Sequence, residues 1–342
     1  MANAVFSPKD FKVWLIEETT TGNANGATPN APAITGSMYQ LDVDSVSFPS
    51  FNMNQVANVR SQTGRVVHVD DWFQDNDIRA TEISLSGTWH NDGGHVTLAH
   101  SVCGNNLAPN SIADATVSAT ATGKSGAYGT AETEKTFTLV LAPPDYDDGK
   151  NIILVGCLVT NFQLNADMGT DGGQYKWSCT ISSGRVPQLG NGQTAAGAAY
   201  SGTHVDMSGI DISATKVMSV NPVLSAFSIA IDSPAIYTGV AEGAGYHSFG
   251  RGEEIAVTAS ATVKYDSVTR GLLDTFAGST NQEHDAADCF TITQTTATAT
   301  SIAIPCGVMT NVAFNEGDAM MLDVEMKALS DGSTAVLTID LA

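Results

Sequence analysis

Basic residues are scarce in this chain: 15 lysines and arginines stand against 36 aspartates and glutamates, a net charge of -21 over 342 residues. No basic patch gathers the few there are, so the sequence offers no electrostatic hold on a phosphate backbone or an anionic membrane. That excludes nucleic acid as a tight ligand. The shortage runs through both halves, with 10 basic and 19 acidic side chains in residues 1–186 and 5 and 17 in residues 187–342. Cysteine is sparse too. Cys103, Cys157, Cys179, Cys289 and Cys306 form an odd set without a C-x-x-C pair, which excludes a disulfide framework and a zinc knuckle and leaves small buried apolar residues as the reading. The opening MANAVFSPKDFKVWLIEE lacks both a basic start and an apolar core segment, so neither a signal peptide nor a membrane anchor is expected, and the protein is read as made and kept in a cytosol.

Catalytic signatures are missing as well. There is no G-x-S-x-G elbow, and no cysteine is marked as a nucleophile by its setting. Gly123-Lys124-Ser125 ends like a phosphate-binding loop, but Ser118 stands where that loop needs its first glycine. His90, His95 and His100 recur beside Asp92 at a spacing that suits neither a helix face nor a strand face, so they read as loop or helix-surface histidines and not as metal ligands. The acidic run Asp70, Asp71, Asp75 and Asp77 lacks the glycine and distal glutamate of a calcium loop. Asp145, Asp147 and Asp148 flank a Pro-Pro turn and read as solvated turn residues. The expectation is a non-enzyme with no cofactor and no metal.

What is present is short apolar runs broken by turn residues, in a background of Gly, Ala, Ser, Thr, Val and Asp, with little helical period beyond ten residues. That predicts an all-β protein. An internal duplication is visible within it. GCLVTNFQLN from Gly156 lines up with CGVMTNVAFN from Cys306, with its Thr-Asn pairs 150 residues apart. EISLSGT from Glu82 matches EIAVTAS from Glu254 at an offset of 172, and the apolar stretches 98–104 and 272–278 recur at 174. The elements keep their order, and the apolar residues keep their phase of two: Ile83 and Leu85 answer to Ile255 and Val257. The change of offset places about 24 extra residues in the first copy, in the Ala-, Thr-, Ser- and Gly-rich stretch 105–134, read as a surface excursion. The chain is thus divided into a first β domain over 1–186, a linker over 187–221, and a second β domain over 222–342, each a β-sandwich with one short helix.

Strands are expected at 11–18 and 38–51, then a long polar segment over 52–81 whose counterpart in the second copy is 232–253. The helices are predicted over 96–102 and 268–276. Residues 136–141 should pair with 152–155, and closing hairpins should join 158–165 to 174–182 and 308–315 to 320–328. In the last strands Leu322, Val324 and Met326 share one face and Asp323, Glu325 and Lys327 the other, as Tyr175, Trp177 and Cys179 do against Gln174, Lys176 and Ser178. One side packs a core and the other faces water, outside or in a channel.

The duplicated β domain, the single short helix per copy, the long polar segments and the acidic balance together resemble the tail tube (major tail) protein of long-tailed bacteriophages. Thr160-Asn161 with Asn165, Thr310-Asn311 with Asn315, and the Glu-led strands at Glu82 and Glu254 carry the resemblance. It implies a β-sandwich whose inner sheet joins those of its neighbours in a closed barrel round a channel, with rings stacked into a tube. Two fused copies would reach a pseudo-sixfold ring as a homotrimer. The implied partners are the chain itself, tape-measure, tail-terminator and baseplate proteins, and double-stranded DNA that passes without tight binding; no membrane is involved. Assembly would take place in the host bacterial cytoplasm and the product would be part of the virion. An acidic lumen suits such passage, because each phosphate neutralised by a cation adds a salt-dependent grip.

On this reading the lumen candidates are Asp323, Glu325, Gln174 and Lys176. The candidates for contacts between rings are Arg60, Arg65, Asp70, Asp71, Trp72 and Asp75 in the first long segment and Tyr237, His247 and Arg251 in the second, segments expected to order on assembly. Two rivals compete. In a carbohydrate-binding or adhesive sandwich, Trp72, Trp89, Tyr175 or Tyr237 would stack on sugar rings; another virion part, a capsid decoration or baseplate protein, would form isolated oligomers.

Overall fold

A computed structural model describes residues 7–18, 38–49, 54–57, 72–75, 81–103, 116–120, 136–144, 151–189, 197–200, 204–241, 245–251, 255–278, 283–284, 289–295, 300–316, 319–329 and 335–341. In chain order the first half supplies β1 (Lys12–Glu17), β2 (Met38–Leu41), β3 (Ser45–Val46), β4 (Asn54–Ala57), β5 (Trp72–Asp75), β6 (Thr81–Thr88), helix α1 (Gly93–Val102), β7 (Thr116–Thr120), β8 (Phe137–Ala142), β9 (Ile152–Asp167) and β10 (Lys176–Ser183). Two short strands follow, β11 (Gln188–Leu189) and β12 (Gly197–Ala198). The rest comprises β13 (Lys216–Val217), β14 (Leu224–Asp232), β15 (Ala235–Ala241), β16 (Gly245–Arg251), β17 (Ala256–Lys264), helix α2 (Arg270–Gly278), β18 (Glu283–His284), β19 (Phe290–Ile292), β20 (Thr300–Ile304), β21 (Gly307–Glu316), β22 (Met320–Ala328) and β23 (Ala335–Leu341). The protein is all-β, with both helices near their expected places.

Among the described residues one sheet of 14 strands runs through both halves of the chain, and a second sheet, β13-β19-β20-β23-β7, shares its core. The long β9 organises the large sheet. Its first residues pair with β8 on one edge and β11 on the other; its later residues pair with β14 and β10. Gly156, at φ 69°, sits where the partners change, in backbone space that a side chain disfavours. From the N-terminal part of β9 the sheet continues through β8, β1, β2 and β12. That flank is buried on both faces: Val13, Leu15, Leu139 and Leu141 join the main core, while Trp14, Ile16, Val140 and Ala142 belong to a smaller cluster behind. A buried carboxylate is built in there. Glu18 accepts from the Thr138 hydroxyl at 2.7 Å, from the Gly156 N–H at 2.8 Å and from Thr136 Oγ1, which satisfies the oxygens that burial would otherwise make costly.

The main core follows the alternation read from the sequence. Tyr175, Trp177 and Cys179 of the β10 segment and Leu322, Val324 and Met326 of β22 are buried, and their intervening neighbours are partly or fully exposed. Helix α1 begins at Asp92, whose carboxylate accepts from the N–H groups of Gly94 and His95, and it packs Leu98, Ala99 and Val102 inward.

Four segments depart from the expectations. The long polar segments 52–81 and 232–253 contain β-hairpins, β4 with β5 and β15 with β16. Residues 116–120, inside the stretch read as a surface excursion, form β7 and pair with β23 near the other end of the chain. Within 187–221, residues 204–221 are built into the fold: Val205, Met207, Val217 and Met218 are buried, and isolated bridges tie His204 to His90, Asp206 to Gln174 and Ile210 to Gln294.

Candidate self-assembly surface

The same strand order occurs twice in the large sheet. It reads β3-β6-β10-β9 in the first half and β14-β17-β22-β21 in the second. The two four-stranded units are joined edge to edge where β9 pairs antiparallel with β14, from Asp167 opposite Ala226 to Asn161 opposite Asp232. On the core side of this seam Leu164 faces Ile229 and Phe162 faces Ile231, all at most 1 % exposed. On the other side Gln163 Nε2 donates to Ser228 Oγ at 2.9 Å.

A shared irregularity fixes the correspondence between units. Thr160 is the extra residue of a β-bulge in the β9–β10 ladder, where Thr180 faces Asn161 and Ile181 faces Val159. Thr310 is the extra residue in the β21–β22 ladder, where Glu325 faces Asn311 and Met326 faces Met309. From these bulges Ser178 takes the place of Asp323; Ser178 faces Ser86 and Asp323 faces Thr262, so β6 and β17 correspond with Ser86 in the place of Thr262. The sequence match at Glu82 and Glu254 is therefore four residues out of the structural register, an even number that leaves the faces unchanged. One step further, Ser45 faces Ser86 and Ala226 faces Thr262, so β3 stands where β14 stands.

Two edges of the eight-stranded run remain open among the described residues. Along the outer edge of β21, β18 pairs only with Gly307 and Val308 and leaves 309–316 unpaired there. β3 pairs only with β6. Each open edge carries an exposed aromatic, Phe314 at 48 % and Phe48 at 37 %.

The face of the run turned from the core is polar. One row across it reads Thr88, Lys176, Asn165, Ser228, Ser260, Glu325 and Asn311, each opposite the next. Small hydroxyl and amide side chains of this kind hold few fixed charges. Lys176 donates to Thr88 Oγ1 at 2.8 Å and lies 3.3 Å from Asp44, while Asp323 accepts from Thr262 at 2.7 Å and Asn315 at 3.0 Å. Of the lumen candidates, Asp323, Glu325 and Lys176 share this face; Gln174 lies ahead of β10, bridged to Asp206. A groove of about 340 Å³ is lined by residues 45–47 and 84–86, by Asn161 and by residues 178–180, five of them serines.

Of the candidates for contacts between rings, Arg60, Arg65, Asp70 and Asp71 lie outside the described residues. Trp72 and Asp75 are the end residues of β5 and His247 lies in β16. Tyr237 and Arg251 are drawn into the join between the units. The Tyr237 hydroxyl donates to the Ser182 carbonyl at 2.8 Å, Tyr237 stacks edge-on with Phe249, and both rings lie over Gly184, where a Cβ would come within 2.2 Å of Phe249. The Arg251 guanidinium donates to the carbonyls of Val159, Ser233 and Ser101. Burial lowers its pKa to about 10 and raises that of the Tyr237 hydroxyl. Sequence reasoning missed this role because docking on Gly184 is non-local; a possible signal was the alternation of Tyr237 with exposed Ile236 and Thr238.

Two of the three histidines expected on a surface are corrected by the structure. His90 and His95 are 4 % and 0 % exposed, with ring nitrogens 2.8 Å from Asp42 and 2.7 Å from Asp92. His95 packs edge-on against Trp89 and Trp177, and the His90 ring lies against His95 and Tyr200. Among the described residues no three His, Cys, Asp or Glu side chains converge as metal ligands. All five cysteines are buried thiols outside any disulfide, and burial raises the thiol pKa of Cys103 and Cys289 to about 12. Trp89 and Tyr175, candidates for stacking on sugars, are completely buried. No helix among the described residues is long and apolar enough to cross a membrane. No family model matches the chain, and no curated protein matches it.

Proposed function

We propose that this chain is a structural subunit that closes into rings and stacks them into a tube, as the tail tube protein of a long-tailed bacteriophage does, to conduct DNA into a host. The observation that carries the reading is the internal seam: two units of one strand order, already joined edge to edge, with, among the described residues, an open edge at either end that corresponds to one side of that seam. A sheet that ends in open edges invites another copy, and the arrangement that leaves none is a closed one. Three chains would bring six units round the axis. The polar face would then line the bore, where small hydroxyls and amides with a negative balance give passing phosphate little to grip.

The hairpins would serve the contacts between units and between rings. Tyr237 and Arg251 hold β15–β16 to the neighbouring unit, and the opposite side of that hairpin, with Ile236 and Thr238 exposed, is free to meet the next ring. Deleting residues 56–75 is expected to leave a soluble subunit unable to form tubes.

Negative-stain imaging of the purified protein tests the proposal. Tubes built of stacked rings with a central hole are expected. Monomers that bind on a glycan array would favour the carbohydrate-binding alternative, and isolated oligomers that never stack would favour a capsid decoration or baseplate protein.

A further inference from the structure

We infer that the open edge of β21 in one chain pairs antiparallel with the β3 edge of a second copy, in the register that sets Phe314 opposite Phe48. This rests on the self-assembling reading and specifies its seam. The template is inside the molecule. With Ser45 in the place of Ala226, three residues on, Phe48 stands in the place of Ile229; with Thr310 in the place of Thr160, Phe314 stands in the place of Leu164. Ile229 and Leu164 face each other across the internal seam and are each 1 % exposed. Their counterparts are exposed aromatics, each with one ring neighbour on its own side, Phe11 for Phe48 and Tyr265 for Phe314.

Cross-strand apolar pairs are what stabilise a strand junction, and an unpaired strand edge bearing an aromatic is a surface that a sheet normally covers. Joining the two edges in the internal register covers both rings at once. It also sets Ser47 opposite Asn315, the places held at the internal seam by Ser228 and Asn165. The occupant is a second copy of this chain because the two edges are complementary in the same way as the halves already joined. The contact is head-to-tail, so repetition closes a ring when the rotation from chain to chain divides the full turn.

Cysteine cross-linking of the full chain tests this, since the five native cysteines are buried. Residues directly opposite in an antiparallel pair have Cβ atoms roughly 4.5–5.5 Å apart, near disulfide range. The Phe48→Cys/Phe314→Cys variant, oxidised after assembly, should give a non-reducing ladder ending at the trimer. A mixture of the two single variants should give dimers at most. The Asp44→Cys/Phe314→Cys pair, displaced by about 13 Å along the strand, should cross-link at least about tenfold less. The Ser47→Cys/Asn315→Cys pair repeats the test at a second matched position should loss of the phenylalanines impair folding, which circular dichroism would show. Assembly without cross-linking at either matched pair, or preferential linking through Asp44→Cys, overturns the register and leaves the self-assembling reading standing. A chain that stays monomeric in sedimentation at all concentrations overturns both.

Discussion

Thr160 and Thr310 hold the same position in their strands: each is the extra residue of a β-bulge, set against Thr180 and Ile181 in one hairpin and against Glu325 and Met326 in the other. A bulge increases the local twist and re-aims the strand beyond it. In β9 the bulge lies between the part that pairs with β8 and the part that pairs with β14, so one strand serves two neighbours on a single edge. The Thr160 carbonyl also accepts from the Ser233 N–H at 2.8 Å, at the turn leading from the seam into the β15–β16 hairpin.

Deletion of Thr160 should therefore be far milder than deletion of Gln163 in the same strand. Without Thr160 the ladder closes up, with Asn161 still opposite Thr180 and Val159 still opposite Ile181, so 152–159 keep their faces; without Gln163 the residues between it and the bulge shift by one and Phe162 is turned out of its buried site. A loss of more than about 3 kcal/mol is expected for the Gln163 deletion, the scale of emptying a large core site, against about 1 kcal/mol for the Thr160 deletion. Urea unfolding followed by tryptophan fluorescence would decide it; near-equal midpoints for the two variants would remove the bulge from the account.

Gly184→Val should undock the second hairpin. A Cβ at this position would meet Phe249 at 2.2 Å and Tyr237 at 2.9 Å, and the two rings are held together by their own edge-on contact. Overpacking of this kind costs about 1–3 kcal/mol. The hairpin is the element expected to yield, so limited proteolysis should cut within the β15–β16 hairpin many times faster in the variant than in the parent. Unchanged cleavage would mean that Gly184 does not support the hairpin.

Much of this architecture was legible in the sequence, and the exceptions have physical causes. The two helices, the closing hairpins and the faces of β10 and β22 follow from periodicity, because one side of each packs a core. The Thr-Asn pairs were visible as a repeat but not as bulges, since a bulge is defined by the partner strand. At Glu82 the match favoured similar letters over the true register, where Ile83 answers to Ala259. The strand TVSAT at 116–120 lacks large apolar residues, and its pairing depends on β23 more than 200 residues away. Val205, Met207 and Val217 are too widely spaced to show a period, so their segment read as linker although it is packed. Of the candidate site, the polar face was foreseen; the seam was not, because edge pairing leaves no periodic mark.

The buried thiols should make stability fall in alkali. Burial holds the Cys103 and Cys289 thiols at about 12, against an ordinary value of 9.0. A raised folded-state pKa means that the native state binds more protons than the unfolded chain between these values, so the contribution is complete below about pH 9 and is lost as pH rises towards about 12. Unfolding midpoints should decline over that window, and replacing both residues with alanine should flatten the decline. At pH 8 a thiol reagent should label no cysteine in the native protein and all five in urea; rapid native labelling of either residue would contradict its burial.

If the polar face lines a bore for DNA, making it cationic should turn passage into retention. Glu325 is exposed on β22, in the row that runs from Thr88 to Asn311, so Glu325→Lys should leave folding nearly unchanged, within about 0.5 kcal/mol. Each ring of three chains would gain three lysines facing inward, stacked along the tube. Where some six to ten phosphates are neutralised, affinity falls about 10³- to 10⁵-fold between 50 and 200 mM salt. Short duplex DNA should therefore co-sediment with variant tubes at low salt and leave them at higher salt, while parent tubes retain little at either. The same retention by parent and variant tubes would place this face away from the bore.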